Sequence, residues 1–196
     1  MQKYDIAIIG GGVLGTTISY WISTLYDLKI CLIEKEPDVA LHSSTRNSGV
    51  IHYPFYIDPK QKKNFARAAF LSHDMWKVLA NDNNIPWVQG GTIEIAFDEE
   101  LHKTLEKYMV LGKENGLTEK DISILDSNEL KQKEPHLNCY SGLYCTKEGS
   151  TNYGLLTKAV SKLSKNNGTN FLLKHNVKHV EETSKEVNII FQTTHH

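Results

Sequence analysis

A glycine-rich segment near the start of the chain constrains the fold more than any other feature of the sequence. The letters GGGVLG at residues 10–15 follow YDIAII at residues 4–9, a nearly continuous apolar run that is typical of a buried parallel strand. Apolar residues then recur at three- and four-residue intervals as far as residue 26, which predicts a helix with one apolar face. Residues 29–34 return to strand character. This order predicts a βαβ unit with two parallel strands.

The spacing of the glycines, GxGxxG, is that of a dinucleotide-binding turn. Gly10 permits the tight turn, Gly12 removes the side chain that would block a pyrophosphate, and Gly15 lets the helix pack closely on the strand. The N–H groups at the start of the helix can bind phosphate. Glu34 ends the second strand 19 residues after Gly15, close to the ~20-residue spacing at which a carboxylate accepts hydrogen bonds from a ribose diol. The motif predicts a bound dinucleotide, and both FAD and NAD fit it.

Length and composition exclude several classes of protein. The 196 residues carry a net charge of −1, which gives no reason to expect nucleic acid as a partner. No apolar run approaches the ~20 residues of a transmembrane segment. Three cysteines without a CxxC pair favour a reducing compartment, so we expect a cytoplasmic protein, with peripheral attachment to a membrane left open. No metal site is predicted, because His175 and His179 are four residues apart on a predicted strand.

The remainder of the chain alternates between helical and strand patterns. Residues 38–59 form a long loop rich in small polar residues, of a length that is usually functional. Helices are predicted at residues 59–81, 98–114 (capped by Asp98), 127–134 and 153–165, and strands at residues 92–97, 142–145, 171–175, 177–181 and 186–192. The buried stripe of the first of these helices is predicted to comprise Phe65, Ala68, Ala69, Trp76 and Leu79.

The loop sequence SSTRNSGVIH at residues 43–52, together with the N-terminal glycine motif, resembles the flavoproteins of the D-amino-acid-oxidase and glycerol-3-phosphate-dehydrogenase superfamily. Within it, NSGVIH looks most like the L-2-hydroxyglutarate oxidase/dehydrogenase branch. GTIEIA at residues 91–96, EPHL at 134–137 and GSTNY at 149–153 follow in the order that this branch shows. The resemblance spans essentially the whole chain and implies an FAD-dependent oxidoreductase.

The resemblance also implies an architecture. It is an α/β fold in which an FAD/NAD(P)-binding Rossmann-like domain carries an inserted, incomplete α+β substrate domain. We predict a division into residues 1–56, the FAD-binding βαβ unit and flavin loop; residues 57–138, a mixed α/β region that is partly substrate domain; and residues 139–196, a truncated return to the FAD-binding domain. Members of the superfamily are substantially longer, so we expect an N-terminal fragment that does not turn over substrate by itself.

The cofactor implied is FAD, bound without a covalent link. The glycine motif would hold the pyrophosphate and Glu34 the adenosine ribose, while the loop after the second strand would run past the pyrophosphate toward the flavin ring. The predicted cofactor-binding residues are Gly10, Gly12, Val13, Leu14, Gly15, Glu34, Lys35, Ser44, Thr45, Arg46, Asn47, Ser48, Gly49 and the backbone of Val177.

The resemblance places His52 at the flavin face, where we predict that it is the catalytic base. Oxidation of a 2-hydroxy acid delivers a hydride to the flavin while a base removes the hydroxyl proton, and an imidazole with an ordinary pKa of about 6.5 suits that step. The alternative is a loop histidine that only bonds to its surroundings. Where the branch has a small residue and a glycine after this histidine, the chain has YPFY at residues 53–56. Tyr56 is predicted to bind the substrate carboxylate, or else is a packed aromatic residue.

Three functions therefore remain open at this stage. The first is oxidation of a small, L-2-hydroxyglutarate-like 2-hydroxy acid. The second is oxidation of an amino acid, an amine or glycerol 3-phosphate by the same superfamily chemistry, and the third is a truncated, non-catalytic nucleotide-binding module. The expected partners are a small-molecule substrate and an electron acceptor, either oxygen or a quinone.

Overall fold

The computed structural model describes residues 2–193, which fall into two compact units. The first unit comprises Met1–Asn47 and Asn152–His196, and the second comprises Ser48–Thr151. The second unit is thus inserted into the sequence of the first, as expected for the fold class. The functional division at residues 56/57 and 138/139 stays a prediction.

Sixteen elements occur within the described residues. The helices are α1 (Val13–Leu25), α2 (Lys63–Asp82), α3 (Glu99–Glu114), α4 (Ser127–Lys133) and α5 (Tyr153–Asn166). The strands are β1 (Ile6–Ile9), β2 (Ile30–Ile33), β3 (Val50–Ile51), β4 (Trp87–Val88), β5 (Thr92–Ala96), β6 (Ile122–Asp126), β7 (Ser141–Cys145), β8 (Gly149–Thr151), β9 (Asn170–Leu172), β10 (His175–Glu182) and β11 (Val187–Thr193). None of these helices combines the length and the apolar character that a membrane crossing requires.

The first unit is built on a parallel sheet with the strand order β1-β2-β9. All four residues of the central strand β2 are buried, which is typical of a parallel strand covered on both faces. The predicted βαβ unit is confirmed by the pairing of β1 with β2, which begins with Ile6 opposite Ile30. Strands β10 and β11 form an antiparallel pair, also as predicted.

Helices α1 and α5 pack together through small hydroxyl side chains. Thr16 and Ser19 are the buried residues of α1, and the Ser164 hydroxyl of α5 donates to the Ser19 oxygen at 2.9 Å. The apolar face of α1 points elsewhere, because Leu14 is 76% exposed and Leu25 is 64% exposed. The helix is confirmed, but its apolar side is not the side that packs on its neighbour.

The second unit contains two antiparallel sheets, with the orders β5-β7-β6 and β3-β8-β4. Aspartate side chains cap the N-termini of two of its helices. At the start of α3, Asp98 accepts from the Leu101 N–H at 2.9 Å, and at the start of α4, Asp126 forms a capping box with Glu129. One apolar core lies inside this unit and is formed by Tyr53, Phe55, Ala96, Leu105, Leu117, Ile122, Leu143 and Cys145.

Several details differ from the sequence-based predictions. Strands β3, β4, β6 and β8 were not predicted, and the strand expected at residues 171–175 is interrupted where Lys174 adopts a φ of 61°. The buried stripe predicted for α2 is partly wrong, because Ala69, Trp76 and Leu79 are half-buried and the other two residues are not. Phe65 is 64% exposed and Ala68 is also exposed, while the residues that α2 buries are Ala66, His73 and Ala80.

Candidate functional site

The glycine turn between β1 and α1 excludes side chains at two positions. Gly10 has a φ of +107°, a conformation that favours glycine. A Cβ at Gly15 would overlap the carbonyl oxygen of Gly10, so the helix can approach the strand only without a side chain there. Gly12 is the N-cap of α1 and has no side chain of its own to cap the helix. In this turn the backbone N–H groups at the start of α1 lie beside glycines that add no side chains. This is the geometry that binds a pyrophosphate.

The Glu34 carboxylate lies beside this turn. Its Oε2 accepts from the Gly11 N–H at 2.5 Å, and its Oε1 accepts from the Glu36 N–H at 2.9 Å. Each oxygen of a carboxylate has a second acceptor position, so two remain for the hydroxyls of a ribose. The start of β10 is also close, since the His175 N–H donates to the Glu34 carbonyl at 2.9 Å. Val177, predicted at the adenine, is on the same strand.

The loop that follows is tied to the start of α1. The Ser44 Oγ accepts from the Val13 N–H at 2.9 Å, and the Thr45 hydroxyl donates to the Ala40 carbonyl. The structure thus brings together two residues that sequence analysis predicted for the cofactor, Val13 and Ser44. The side chains of Arg46 and Asn47 lie on the exposed part of the loop. The Lys35 Nζ lies 3.6 Å from the Glu36 Oε1, and the Lys35 side chain is half-exposed.

Two further predicted cofactor residues, Ser48 and Gly49, belong to the second unit. Gly49 has a φ of +74° and is buried, and a Cβ there would be 2.6 Å from the carbonyl oxygen of Thr151. The Gly49 carbonyl accepts from the Thr151 N–H at 2.9 Å. A side chain at this position would separate β3 from β8, which explains the glycine of the NSGVIH motif.

His52 and Tyr56 emerge from one turn of the second unit. Tyr53, Pro54 and Phe55 between them are buried, while His52 and Tyr56 are exposed. The rings of His52 and Tyr56 lie edge to face, with their centroids 6.0 Å apart. The structure therefore brings the predicted base and the predicted substrate-binding residue together on one surface. Burial, followed by the charge of a nearby carboxylate, raises the pKa of Tyr56, which keeps its hydroxyl protonated as a donor.

That carboxylate is Glu148, a residue that sequence analysis missed. It is completely buried, and its Oε1 accepts from the Tyr53 N–H at 2.7 Å and lies 3.3 Å from the His52 Nδ1. The Thr92 hydroxyl donates to its other oxygen. The hydrogen bond to Glu148 raises the pKa of His52; burial opposes this shift, and the charges of Glu148 and Glu94 add to it. The only signal in the sequence is a single acidic residue before the GSTNY motif.

Comparison with known proteins identifies the family. The family model described as FAD dependent oxidoreductase matches residues 5–196. The chain belongs to this family. Its relatives include a mitochondrial L-2-hydroxyglutarate dehydrogenase of Caenorhabditis briggsae, 29% identical over 96% of the chain and 43% of the relative. A glycerol 3-phosphate dehydrogenase of Caloramator mitchellensis is 31% identical over 91% of the chain and 37% of the relative.

A solved structure has the same fold. The L-α-glycerophosphate oxidase of Mycoplasma pneumoniae, a structure with FAD bound, superimposes with a TM-score of 0.84 at 27% identity. The match covers 99% of this chain and 51% of that structure. The chain spans less than half the length of the curated relatives described above.

The residues of the first unit fit the FAD of this family. The packed glycine turn has no room for a side chain at Gly15, the N-cap residue Gly12 places no side chain over the start of α1, and the Glu34 carboxylate keeps acceptor positions for a ribose. The predicted family, fold class and cofactor are confirmed. The assignment of individual residues to the cofactor, the substrate and the catalytic step stays a prediction.

Proposed function

We propose that this protein oxidises a small 2-hydroxy acid resembling L-2-hydroxyglutarate. The observation that carries the proposal is the pairing of His52 and Tyr56 on one exposed turn, with a buried carboxylate behind the histidine. The similarity to L-2-hydroxyglutarate dehydrogenases supports the choice of substrate. When bound, FAD supplies the two-electron acceptor for the hydride that leaves the α-carbon.

In this proposal the first unit holds the cofactor. The N–H groups at the start of α1 bind the pyrophosphate, and Glu34 accepts the ribose hydroxyls. Ser44 fixes the loop against the Val13 N–H, so that the polar residues after it can contact the pyrophosphate and the flavin. The remaining contacts are assigned to Lys35, Thr45, Arg46, Asn47, Ser48, Gly49 and the backbone of Val177.

The second unit supplies the groups that act on the substrate. His52 takes the proton of the hydroxyl as the C–H bond breaks, and the O–H electron pair becomes part of the new carbonyl bond. Tyr56 donates its hydroxyl to the substrate carboxylate and sets the orientation of the α-carbon. A neutral imidazole is needed for the first role and a protonated phenol for the second.

A second candidate substrate is glycerol 3-phosphate. It is favoured by the relatives named as glycerol 3-phosphate dehydrogenase and glycerol 3-phosphate oxidase, the second of which is 34% identical over 70% of the chain. This substrate is also an alcohol and needs the same base, so His52 keeps its role. The residue that would differ in role is Tyr56, which would face a phosphate instead of a carboxylate.

The first experiment is a flavin spectrum followed by a substrate panel. We expect the purified chain to retain or take up FAD. The substrate panel is applied to a version of the chain extended to the length of its relatives, which we expect to reduce FAD with L-2-hydroxyglutarate faster than with D-2-hydroxyglutarate, the matched control. Glycerol 3-phosphate and D- and L-amino acids complete the panel. Flavin reduction by an amine alone would refute the proposal, and absence of FAD binding would leave the third function, a non-catalytic module. Oxygen uptake and reduction of a quinone analogue identify the electron acceptor.

A second experiment addresses the cofactor residues. Glu34→Gln keeps the size of the side chain but replaces one acceptor oxygen by a donor, which then faces either a backbone N–H or a ribose hydroxyl. We expect weaker FAD binding, measured by quenching of flavin fluorescence. Glu99→Gln, an exposed carboxylate on α3, is the control and should bind FAD as the parent does. Equal affinity for both variants would contradict the role of Glu34.

The cytoplasmic location is proposed from the cysteine usage alone. Localisation of a tagged chain by fractionation tests it. Recovery in a membrane fraction that salt releases would instead support peripheral attachment.

A further inference from the structure

Glu148 is a buried acid whose position relative to His52 has a chemical consequence. Burying a carboxylate without partners is costly, and this one has three, which come from different parts of the second unit. The backbone N–H of Tyr53 and the hydroxyl of Thr92 hold both oxygens in place. The third partner, the His52 Nδ1, is the only one of the three on a side chain that is half-exposed, at 51%.

A carboxylate that holds an imidazole nitrogen decides which ring nitrogen carries the proton. An ionised carboxylate is only an acceptor, so the Nδ1 of a neutral His52 must be the donor, and Nε2 is left as the basic nitrogen. Histidines that act as bases or metal ligands are commonly oriented in this way by an acidic partner. Without Glu148, the ring could carry its proton on either nitrogen and could rotate.

We infer that Glu148 is the positioning residue of His52, fixing the imidazole so that Nε2 accepts the hydroxyl proton of the substrate. The inference rests on the proposed function, in which His52 takes that proton. Glu148 acts through the histidine and not on the substrate, because its side chain has no exposed surface. Thr92 and the Tyr53 N–H, in turn, keep the carboxylate from turning away from the ring.

The surroundings of His52 contain few other groups that could account for the same effect. Glu94 on β5 adds a smaller charge effect on the histidine, and Tyr56 lies edge to face on the ring with a pKa raised above its ordinary value. Of these groups, Glu148 is the one with an oxygen within 3.3 Å of a ring nitrogen. Its contact can therefore be separated experimentally from the field of Glu94.

Nitrogen NMR of the whole chain labelled with ¹⁵N-histidine tests the inference directly. The signals of His52 are those that disappear in His52→Gln. Above the pKa of His52, we expect the neutral ring in the parent chain to carry its proton on Nδ1. In Glu148→Gln, whose amide oxygen can still accept from the Tyr53 N–H and the His52 Nδ1–H, we expect the pKa to shift downward. In Glu148→Met, which removes both acceptor oxygens, we expect the preference for Nδ1–H to be lost as well. Glu94→Gln is the matched control, with a smaller downward shift in pKa and an unchanged tautomer.

Two results would overturn the inference. One is an Nε2–H tautomer in the parent chain, a measurement that needs only His52→Gln for assignment and stays decisive if the Glu148 variants fail to fold. The other is a folded Glu148→Gln chain in which the pKa of His52 matches that of the parent.

Activity separates this inference from the proposed function. In the FAD-loaded chain, extended as for the substrate panel, the rate of flavin reduction should rise with pH as His52 loses its proton, and Glu148→Gln should move that rise to lower pH while lowering the plateau. In a His52→Gln background the same substitution should have no further effect on the rate. If His52→Gln keeps the parent rate while the NMR response persists, the role of His52 as base is wrong and the pairing stands. If His52→Gln is inactive and the NMR response is absent, the role of the base stands and the positioning role of Glu148 is wrong.

Discussion

The two units of the chain bury different kinds of side chain. The second unit encloses one apolar core, with Leu143 and Cys145 completely buried at its centre. The first unit buries strand β2, the apolar residues Val39, Leu156 and Val160, and a set of hydroxyls between α1 and α5, while the apolar side of α1 stays exposed. Apolar burial contributes most of the stability of a fold. Both units therefore have apolar burial of their own, and the difference is that the first leaves the apolar side of one of its helices exposed.

Substitution of a core leucine gives the largest expected difference between the units. Leu143→Ala should lower the free energy of opening of the second unit by about 2–5 kcal/mol, because it leaves a cavity among fully packed neighbours. Leu25→Ala, on the exposed side of α1, should change that of the first unit by about 0.5 kcal/mol or less. Native-state amide hydrogen exchange measures both values. Equal losses would mean that the apolar side of α1 is covered in solution.

Addition of FAD should stabilise the first unit selectively if the binding residues are those of the glycine turn. A ligand at 100 times its Kd contributes about 2.7 kcal/mol to the state that binds it. We expect slower exchange of the amides in β1, α1 and β2 and a smaller change in the core strands β5 and β6. Gly15→Ala should abolish this protection, since a Cβ overlaps the Gly10 carbonyl, while Gly90→Ala, which meets open space, should not.

A smaller difference concerns the starts of the helices. In the second unit, the N-cap residue Asp126 caps α4 with its own side chain, whereas the N-cap residue of α1 in the first unit, Gly12, has no side chain, and a distant residue, Ser44, accepts from the Val13 N–H. Asp126→Ala should lower the free energy of opening of α4, measured by amide hydrogen exchange, by about 1 kcal/mol. Asp126→Asn, which keeps an acceptor oxygen, should lower it much less. An equal cost for both substitutions would show that the charge, and not the capping geometry, carries the effect.

The smallest expected effect is the dependence of the second unit on pH. The pKa of His52 is raised by Glu148, so the pair contributes stability that is fully present below the unfolded pKa of about 6.5 and is lost as pH rises through the folded pKa. The effect is small because half of the His52 side chain is in water, which screens the pair. Urea denaturation of the parent and of His52→Gln over this range measures it, and parallel curves would contradict it.

Helices and strands with a clear local pattern of apolar residues, glycines or caps could be predicted from the sequence. The glycine spacing and Glu34 predicted β1, α1 and β2, and Asp98 marked the start of α3. Strand β6 was missed because its pairing, with Ile122 opposite Cys145, is a contact between distant parts of the chain. The stripe predicted for α2 failed in part for a similar reason: periodicity shows that a helix has an apolar side but not which side its neighbours cover.

The same distinction applies to the site. His52 and Tyr56 were singled out by a motif and by residue type, and the structure places them side by side. Glu148 had no such signal, because its partners Thr92 and Tyr53 are 56 and 95 residues away in sequence. A buried acid becomes recognisable only when the residues around it are known.

The turn that carries His52 and Tyr56 links the stability of the core to the placement of these two exposed rings. Between these residues, Tyr53 and Phe55 are members of the apolar core, so the separation of the two exposed rings is set by packing inside the unit. A substitution that improves that packing would also alter the distance between the two groups that we propose meet the substrate. In the evolution of this protein, changes in thermal robustness and changes in substrate preference would therefore tend to arise from the same few core positions.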